Sequence, residues 1–209
     1  MMLLTVNIVL VAVAGEDAQL LISAHGILNR VFMLIFLPVI GMMIAFQTFA
    51  GFNYGAQKYD RVIEVLKVAL LITTVYAVVW SVIMILLPDV LFQLFSNDQA
   101  LIQATAGISR IVFIGFITVG IAMICPALFQ AIGLAKPAAL LNAVHTYVLL
   151  LPALALYAVS FGEQYGAEGI WWLFPITDAI TAILVGLYTW YFVAKLKTEL
   201  TFQQANDLS

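Results

Sequence analysis

The stretch VFMLIFLPVIGMMIAFQTFAGFNYGAQ, Val31 to Gln57, carries no Asp, Glu, Lys or Arg, and its reading decides the fold class. An α-helix rises about 1.5 Å per residue, so about 20 apolar residues cross the hydrocarbon layer of a bilayer. This run is long enough, and it is one of several. Val68 to Pro88, Ile111 to Ala135 and Pro137 to Gly162 are equally free of those charges. Gly169 to Ala194 holds a single acid, Asp178, and Met1 to Gly15 forms a shorter uncharged run. None alternates apolar with polar residues as barrel strands do, so helices are expected.

Composition agrees. Charged residues make up 9% of the 209 residues and the apolar set 65%, whereas a soluble domain carries about 25% charge. Such a chain lacks the polar groups to cover a water-facing surface, so the lipid bilayer is its solvent. A net charge of −3 gives no basic field for nucleic acid. Cys125 is the single cysteine; it cannot build a disulfide framework or thiolate metal site and reads as a small buried hydrophobe.

The expected fold is therefore an all-α integral membrane protein, a six-helix transmembrane bundle. Its spans are placed near 1–15, 25–50, 62–88, 106–132, 137–160 and 169–194, forming one lobe over 1–197 with a frayed polar tail at 198–209. The first run is short for a span and lacks the basic residues of a secretory signal. It reads as the end of a helix whose start is missing, with a signal peptide as the alternative. Gly51 to Gly55 offers glycines and an asparagine for a tight reversal. Pro88-Asp89 ends a helix, and Ser96 to Gln99 has capping-box spacing.

Basic residues fix the orientation. Lys58, Arg61 and Lys67 mark the second connection, Lys136 the fourth, and Lys195 and Lys197 the C-terminal end. Glu16, Asp17, Asp89, Asp98, Glu163 and Glu168 fall in the others, which hold no Lys or Arg. Cytoplasmic loops collect Lys and Arg, so the C-terminus is expected inside a bacterial or archaeal plasma (inner) membrane. Trp171 and Trp172 then fall at the outer interface.

Charges inside the membrane are costly and mark candidate pathways. Arg30, Arg110 and Asp178 are all placed in the outer half, at depths where they could pair. Either they form a structural ion pair, with the arginines reaching the interface, or Asp178 is the coupling or substrate-contacting acid of a polar cavity. Thr181 shares the Asp178 helix face at i+3. Asn29, His145 and Tyr147 join the candidate pathway, and Asn7, Gln47, Gln130 and Asn142 add polar groups that bond between helices. His25 reads as interfacial. Phe116, Met123, Phe129 and Tyr188 are further candidate cavity linings. Pro38, Pro126, Pro152 and Pro175 are candidate kinks. No catalytic, cofactor-binding or metal-ligating motif is present, and a lone deep acid argues against an intramembrane aspartyl enzyme.

Several segments carry a family resemblance. Gln47-Thr-Phe-Ala-Gly51-Phe-Asn-Tyr-Gly55-Ala56 with Lys58-Tyr-Asp-Arg61 resembles a helix end and loop of multidrug and toxic compound extrusion (MATE) transporters. Leu94-Phe95-Ser-Asn-Asp98, Leu128-Phe-Gln130-Ala-Ile-Gly133 with Lys136, and Gly166, Gly169-Ile170-Trp171, Pro175 and Asp178 are similar to later segments of the same half. The resemblance implies half of a twelve-helix transporter, the C-terminal lobe with its first helix clipped and the N-terminal lobe missing. It implies a secondary antiporter that expels small amphipathic or cationic compounds in exchange for H+ or Na+, without a cofactor. The family's coupling acids lie in segments this chain lacks, so Asp178 is chosen on membrane energetics. Two rivals remain: a lipid-linked oligosaccharide flippase or polysaccharide exporter of the same superfamily, which would need a cationic cavity, and a non-transporting membrane subunit.

Overall fold

The computed structural model describes residues 2–160 and 166–207. Glu163, assigned to an outer loop from the sequence, lies outside the described residues. Among those described there is no strand. We number the helices α1 (Met2–Val13), α2 (Ala18–Gly55), α3 (Tyr59–Leu86), α4 (Pro88–Phe92), α5 (Gln99–Phe116), α6 (Val119–Ala131), α7 (Ala135–Ser160) and α8 (Glu168–Asp207). Five of them, α2, α3, α5, α7 and α8, are long and apolar enough to cross a membrane. The protein is an all-helical, multi-pass membrane protein.

Helix ends follow local chemistry, and several differ from the sequence reading. The reversal after α2 is not made by Gly51 or Gly55. Helix α2 runs through both, and the chain turns at Gln57, whose φ is 59°. Lys58 N donates to Asn53 O at 2.9 Å and Gln57 N to Tyr54 O at 3.0 Å, the paired bonds of a Schellman end. Gly51 instead permits close packing, since a Cβ there would lie 3.0 Å from Ala131 O. Gly133, φ 79°, ends α6 by the same bonding pattern through Leu134 and Phe129. The cap of α5 is Asp98, which accepts from Ala100 N and Leu101 N, while the Ser96 hydroxyl accepts from Asp98 N.

Pro88 leaves a carbonyl open, and the neighbouring helix fills it. Pro88 has no N–H for Met84 O; Ser109 Oγ donates to that oxygen at 3.3 Å and Arg110 Nε to Ile85 O at 3.3 Å. Tyr76 on α3 donates to Ile35 O at 2.8 Å, one turn before Pro38 in α2. The fourth expected span is broken without a proline. It divides at Ile117–Thr118 into α5 and α6, where the Thr118 amide and hydroxyl both donate to Gly115 O, at 3.0 and 2.9 Å. Helix α7 carries a π-helical stretch over Val144–Leu150, directly before Pro152. The wider turn accommodates the proline ring, which in an α-helix would press on the carbonyl four residues earlier. Helix α8 continues through Asp207, beyond the expected boundary of the tail, and no Gly or Pro interrupts the chain there.

Helix α2 packs on α3, α5 and α6, and α8 on α5, α6 and the π-helical part of α7. Two buried apolar clusters result, one around Phe92, Phe113 and Trp171 and one around Phe46, Leu128 and Phe129. Cys125 is buried and free, as a small hydrophobe should be. Outward, Leu34, Leu71, Ile183, Leu187 and Trp190 stand more than half exposed. That apolar surface suits hydrocarbon and not water.

Candidate functional site

The central feature of the bundle is the meeting of α7 and α8. His145, second residue of the π-helical stretch, places Nε2 2.8 Å from Asp178 Oδ1. The approach is close, although the ring nitrogen is not aligned for a linear hydrogen bond. Each side chain keeps about a quarter of its surface accessible, 26% and 27%. On the other flank, Gly115 of α5 lies against Asp178 Oδ2. A Cβ at Gly115 would collide with that oxygen and come within 2.9 Å of Pro175 Cα. Glycine is thus what lets α5 reach the backbone of α8 and seat the carboxylate.

Asp178 faces a cavity of about 260 Å³ enclosed by α2, α5, α6, α7 and α8. Phe32, Phe36, Phe116 and Phe174 form its aromatic walls, Met123 and Leu141 add apolar surface, and Asn142, Thr118, Thr146 and Thr181 add polar groups. Phe32 stacks on Phe36 at 5.5 Å and meets Phe116 edge-on at 5.6 Å. His145 and Asp178 are the titratable groups in the lining, and no Lys or Arg reaches it. Thr181 spends its proton on Thr177 O at 2.7 Å, so its oxygen lone pairs are what it can offer the cavity. Asn142 donates to Ala138 O at 2.8 Å, which leaves its side-chain carbonyl available. It also lines an open groove with Gln130, Gly133, Ala135, Ala138 and Ala139. Among the described residues no cluster of three or more His, Cys, Asp or Glu could hold a metal.

The structure sorts the sequence candidates. Asp178, His145 and Thr181 converge on the cavity, and Phe116 and Met123 line it. Arg110 does not pair with Asp178. It bonds Asp89 Oδ2 at 2.8 Å with half its side chain exposed, because α4 brings that acid beside it. Arg30 is exposed and Asn29 half-buried, and neither lines the cavity. Tyr147 is 61% exposed; two helical residues turn the chain through roughly half a revolution, so it faces away from His145. Phe129 is fully buried in the second cluster, beside the half-exposed Tyr188. Gln47 and Gln130 bond between α2 and α6 at 2.7 Å. His25 is buried within the bundle: Nδ1 lies 3.2 Å from Asn7 Oδ1 and the ring packs 5.5 Å from Trp171. Trp171 is accordingly buried, while Trp172 stays half exposed.

The sequence matches the MatE family model over residues 1–156, three quarters of its length. The chain belongs to the MatE family. It is 23% identical over 185 residues to Multidrug and toxin extrusion protein 1 of Mus musculus, covering 88% of this chain and 31% of that protein. It is 21% identical over 179 residues to the Probable multidrug resistance protein YoeA of Bacillus subtilis, covering 85% and 38%. The chain thus spans about a third of the curated relatives it matches. Among solved structures, an outward-facing multidrug resistance MATE transporter superposes with a TM-score of 0.82 at 19% identity, over 93% of this chain and 43% of that one. A MOP superfamily transporter from Pyrococcus furiosus, described by a binding pocket of reverse polarity, gives 0.82 at 19%, over 93% and 42%. These likenesses establish a MATE fold over nearly the whole chain.

Within that MATE fold, Gly115, Phe32, Phe36, Phe174, Thr118 and Thr146 are among the site residues sequence reasoning missed. Phe32 and Phe36 are i, i+4 on one face, a spacing that was available to find them. Gly115 left no such trace, because its role is the space it leaves.

Proposed function

We propose that the chain is the C-terminal six-helix lobe of a secondary active antiporter that exports small amphipathic cations in exchange for H+ or Na+. The observation that carries this reading is the Asp178 carboxylate facing an aromatic-walled cavity that no Lys or Arg enters. Apolar and aromatic walls accept flat or greasy molecules of varied shape, and one acid selects for positive charge. The relatives named for multidrug extrusion support the substrate class. A lipid-linked oligosaccharide or polysaccharide carries phosphate and needs cations in its cavity; both candidate arginines turn away, so that rival is disfavoured. Coupling follows from charge. An uncompensated carboxylate is costly to enclose away from water, whereas a carboxylate neutralised by substrate or by the driving ion is not. The two loaded forms therefore change conformation and the empty charged form does not.

The full-length transporter in proteoliposomes tests this. Imposed proton or sodium gradients should drive tetraphenylphosphonium efflux, and Asp178→Asn should abolish it. Gradient-driven movement of an anionic lipid-linked sugar, with no phosphonium transport, would overturn the reading in favour of the rival.

A further inference from the structure

We propose that a water-filled passage reaches the Asp178 cavity from one end of the bundle, through a groove between α6 and α7, with Asn142 as its gatepost. The groove holds about 360 Å³. Gln130 and Gly133 line it at the end of α6, and Ala135, Ala138, Ala139 and Asn142 line it on α7. That space exceeds many times the roughly 15 Å³ that one enclosed water needs. Asn142 also lines the Asp178 cavity, and it is the residue common to both linings. From the mouth at Ala135 it lies two turns along α7, about 10 Å, and His145 follows about 4.5 Å deeper.

The polar groups along this route still have bonds to make. Gln47 Nε2 donates to Gln130 Oε1 at 2.7 Å, which leaves the Gln130 amide hydrogens to give. Asn142 Nδ2 donates to Ala138 O at 2.8 Å, which leaves its carbonyl oxygen to accept. Hydrocarbon satisfies neither, whereas waters between the two helices satisfy both. Glycine and alanine at the other four positions keep the gap wide enough for them. The mouth lies at the basic end of the bundle. A Cβ on Gly51 would lie 3.0 Å from Ala131 O. That close packing sets the α2–α3 turn, with Lys58 and Arg61, beside the α6–α7 turn, with Lys136. Lys and Arg collect on the cytoplasmic side, so the passage reaches Asp178 from the cytoplasm and within this one lobe. It admits water and small hydrated ions; a drug-sized molecule would have to displace the Asn142 side chain.

Cysteine accessibility tests this in the full-length transporter with its native cysteines, Cys125 among them, replaced by alanine. The probe is a membrane-impermeant methanethiosulfonate carrying a trimethylammonium group, applied to inside-out vesicles or to intact cells. It reacts with the thiolate, so modification reports water at the thiol; from the cytoplasmic side, Ala139→Cys and Asn142→Cys should react about tenfold faster than Leu140→Cys or more. Leu140 is 68% exposed on the same helix but outside the groove, so it controls for exposure alone. His145→Cys should react more slowly than Asn142→Cys from that side. Adding Asn142→Leu should slow it severalfold, adding Asn142→Ala should speed it, and neither should change its rate from the cell exterior. Equal rates at 139, 140 and 142 would mean that lipid fills the groove, and no reaction at 139 and 142 would mean that the other half of the transporter covers it. Either result overturns the proposal, as does a His145→Cys rate that both Asn142 variants leave unchanged. Labelling does not require transport, so this outcome is separate from that of the antiporter reading.

Discussion

Gly115 and Asp178 sit so close that the smallest side chain at position 115 would occupy the space of the Asp178 carboxylate. The same added atom would come within 2.9 Å of Pro175 Cα on α8. Helices α5 and α8 are thus held at a separation that only glycine permits, and the acid is seated by that contact. Gly115→Ala should push α8 away or swing the carboxylate off His145. Overpacking of this kind costs about 1–3 kcal/mol. The expected result is a lower melting temperature in detergent together with weakened tetraphenylphosphonium binding. Unchanged binding would show that the carboxylate position is not critical.

Asp178→Asn keeps size and removes charge. If the acid provides the attraction for cations, binding of tetraphenylphosphonium should weaken at least tenfold, about 1.4 kcal/mol. Binding of an uncharged aromatic compound of similar size should change little, because the walls of Phe32, Phe36 and Phe116 remain. Equilibrium binding of both ligands to the variant separates charge recognition from packing.

Arg110→Gln discriminates the cationic-cavity reading. The Arg110–Asp89 pair is half exposed on both sides, so its loss should cost no more than about 1 kcal/mol of stability. Cation binding should be unaffected because the guanidinium lies outside the cavity. A large effect on binding would place Arg110 in the pathway after all.

Most of the architecture could be read from charge spacing, because lipid penalises every stray charge and so writes helix limits into the sequence. Asp178 and His145 were visible one at a time for the same reason. Their contact was not, since it depends on how α7 and α8 are rotated against each other. Arg110 misled because depth along a helix says nothing of neighbours: α4, a five-residue helix begun by Pro88, supplies Asp89. The burial of His25 was equally hidden, being set by Asn7 and Trp171 on two other helices. The break at Ile117–Thr118 needed no proline, only a threonine whose hydroxyl shares Gly115 O with its own amide.

Tyr157 and the start of α8 form a second close contact. The phenol donates to Gly166 O at 2.7 Å and lies directly against Gly169, where a Cβ would strike the ring. Tyr157→Phe should therefore lose about 1 kcal/mol of stability, the usual net value of such a bond. Gly169→Ala should lose more, because the ring itself must move. Thermal unfolding of both variants in one detergent gives the order, and the reverse order would refute the steric argument.

The π-helical stretch is the element that aims His145. A π-turn inserts an extra residue relative to the α-helical path, so it rotates the preceding segment by about one residue's turn, roughly 100°. Pro152 favours the wide turn by denying the carbonyl four residues before it an amide partner. With Pro152→Ala that amide returns, the α-helical turn becomes available, and His145 should rotate off Asp178. Cross-linking reads this directly. In a protein whose native cysteine is replaced by Cys125→Ala, the pair His145→Cys and Asp178→Cys should be bridged readily by a short bifunctional thiol reagent with Pro152 present, since the two side-chain tips meet at 2.8 Å. Adding Pro152→Ala should slow that reaction severalfold while the protein stays folded. An unchanged rate would mean that packing against α8, and not the proline, holds the π-turn in place.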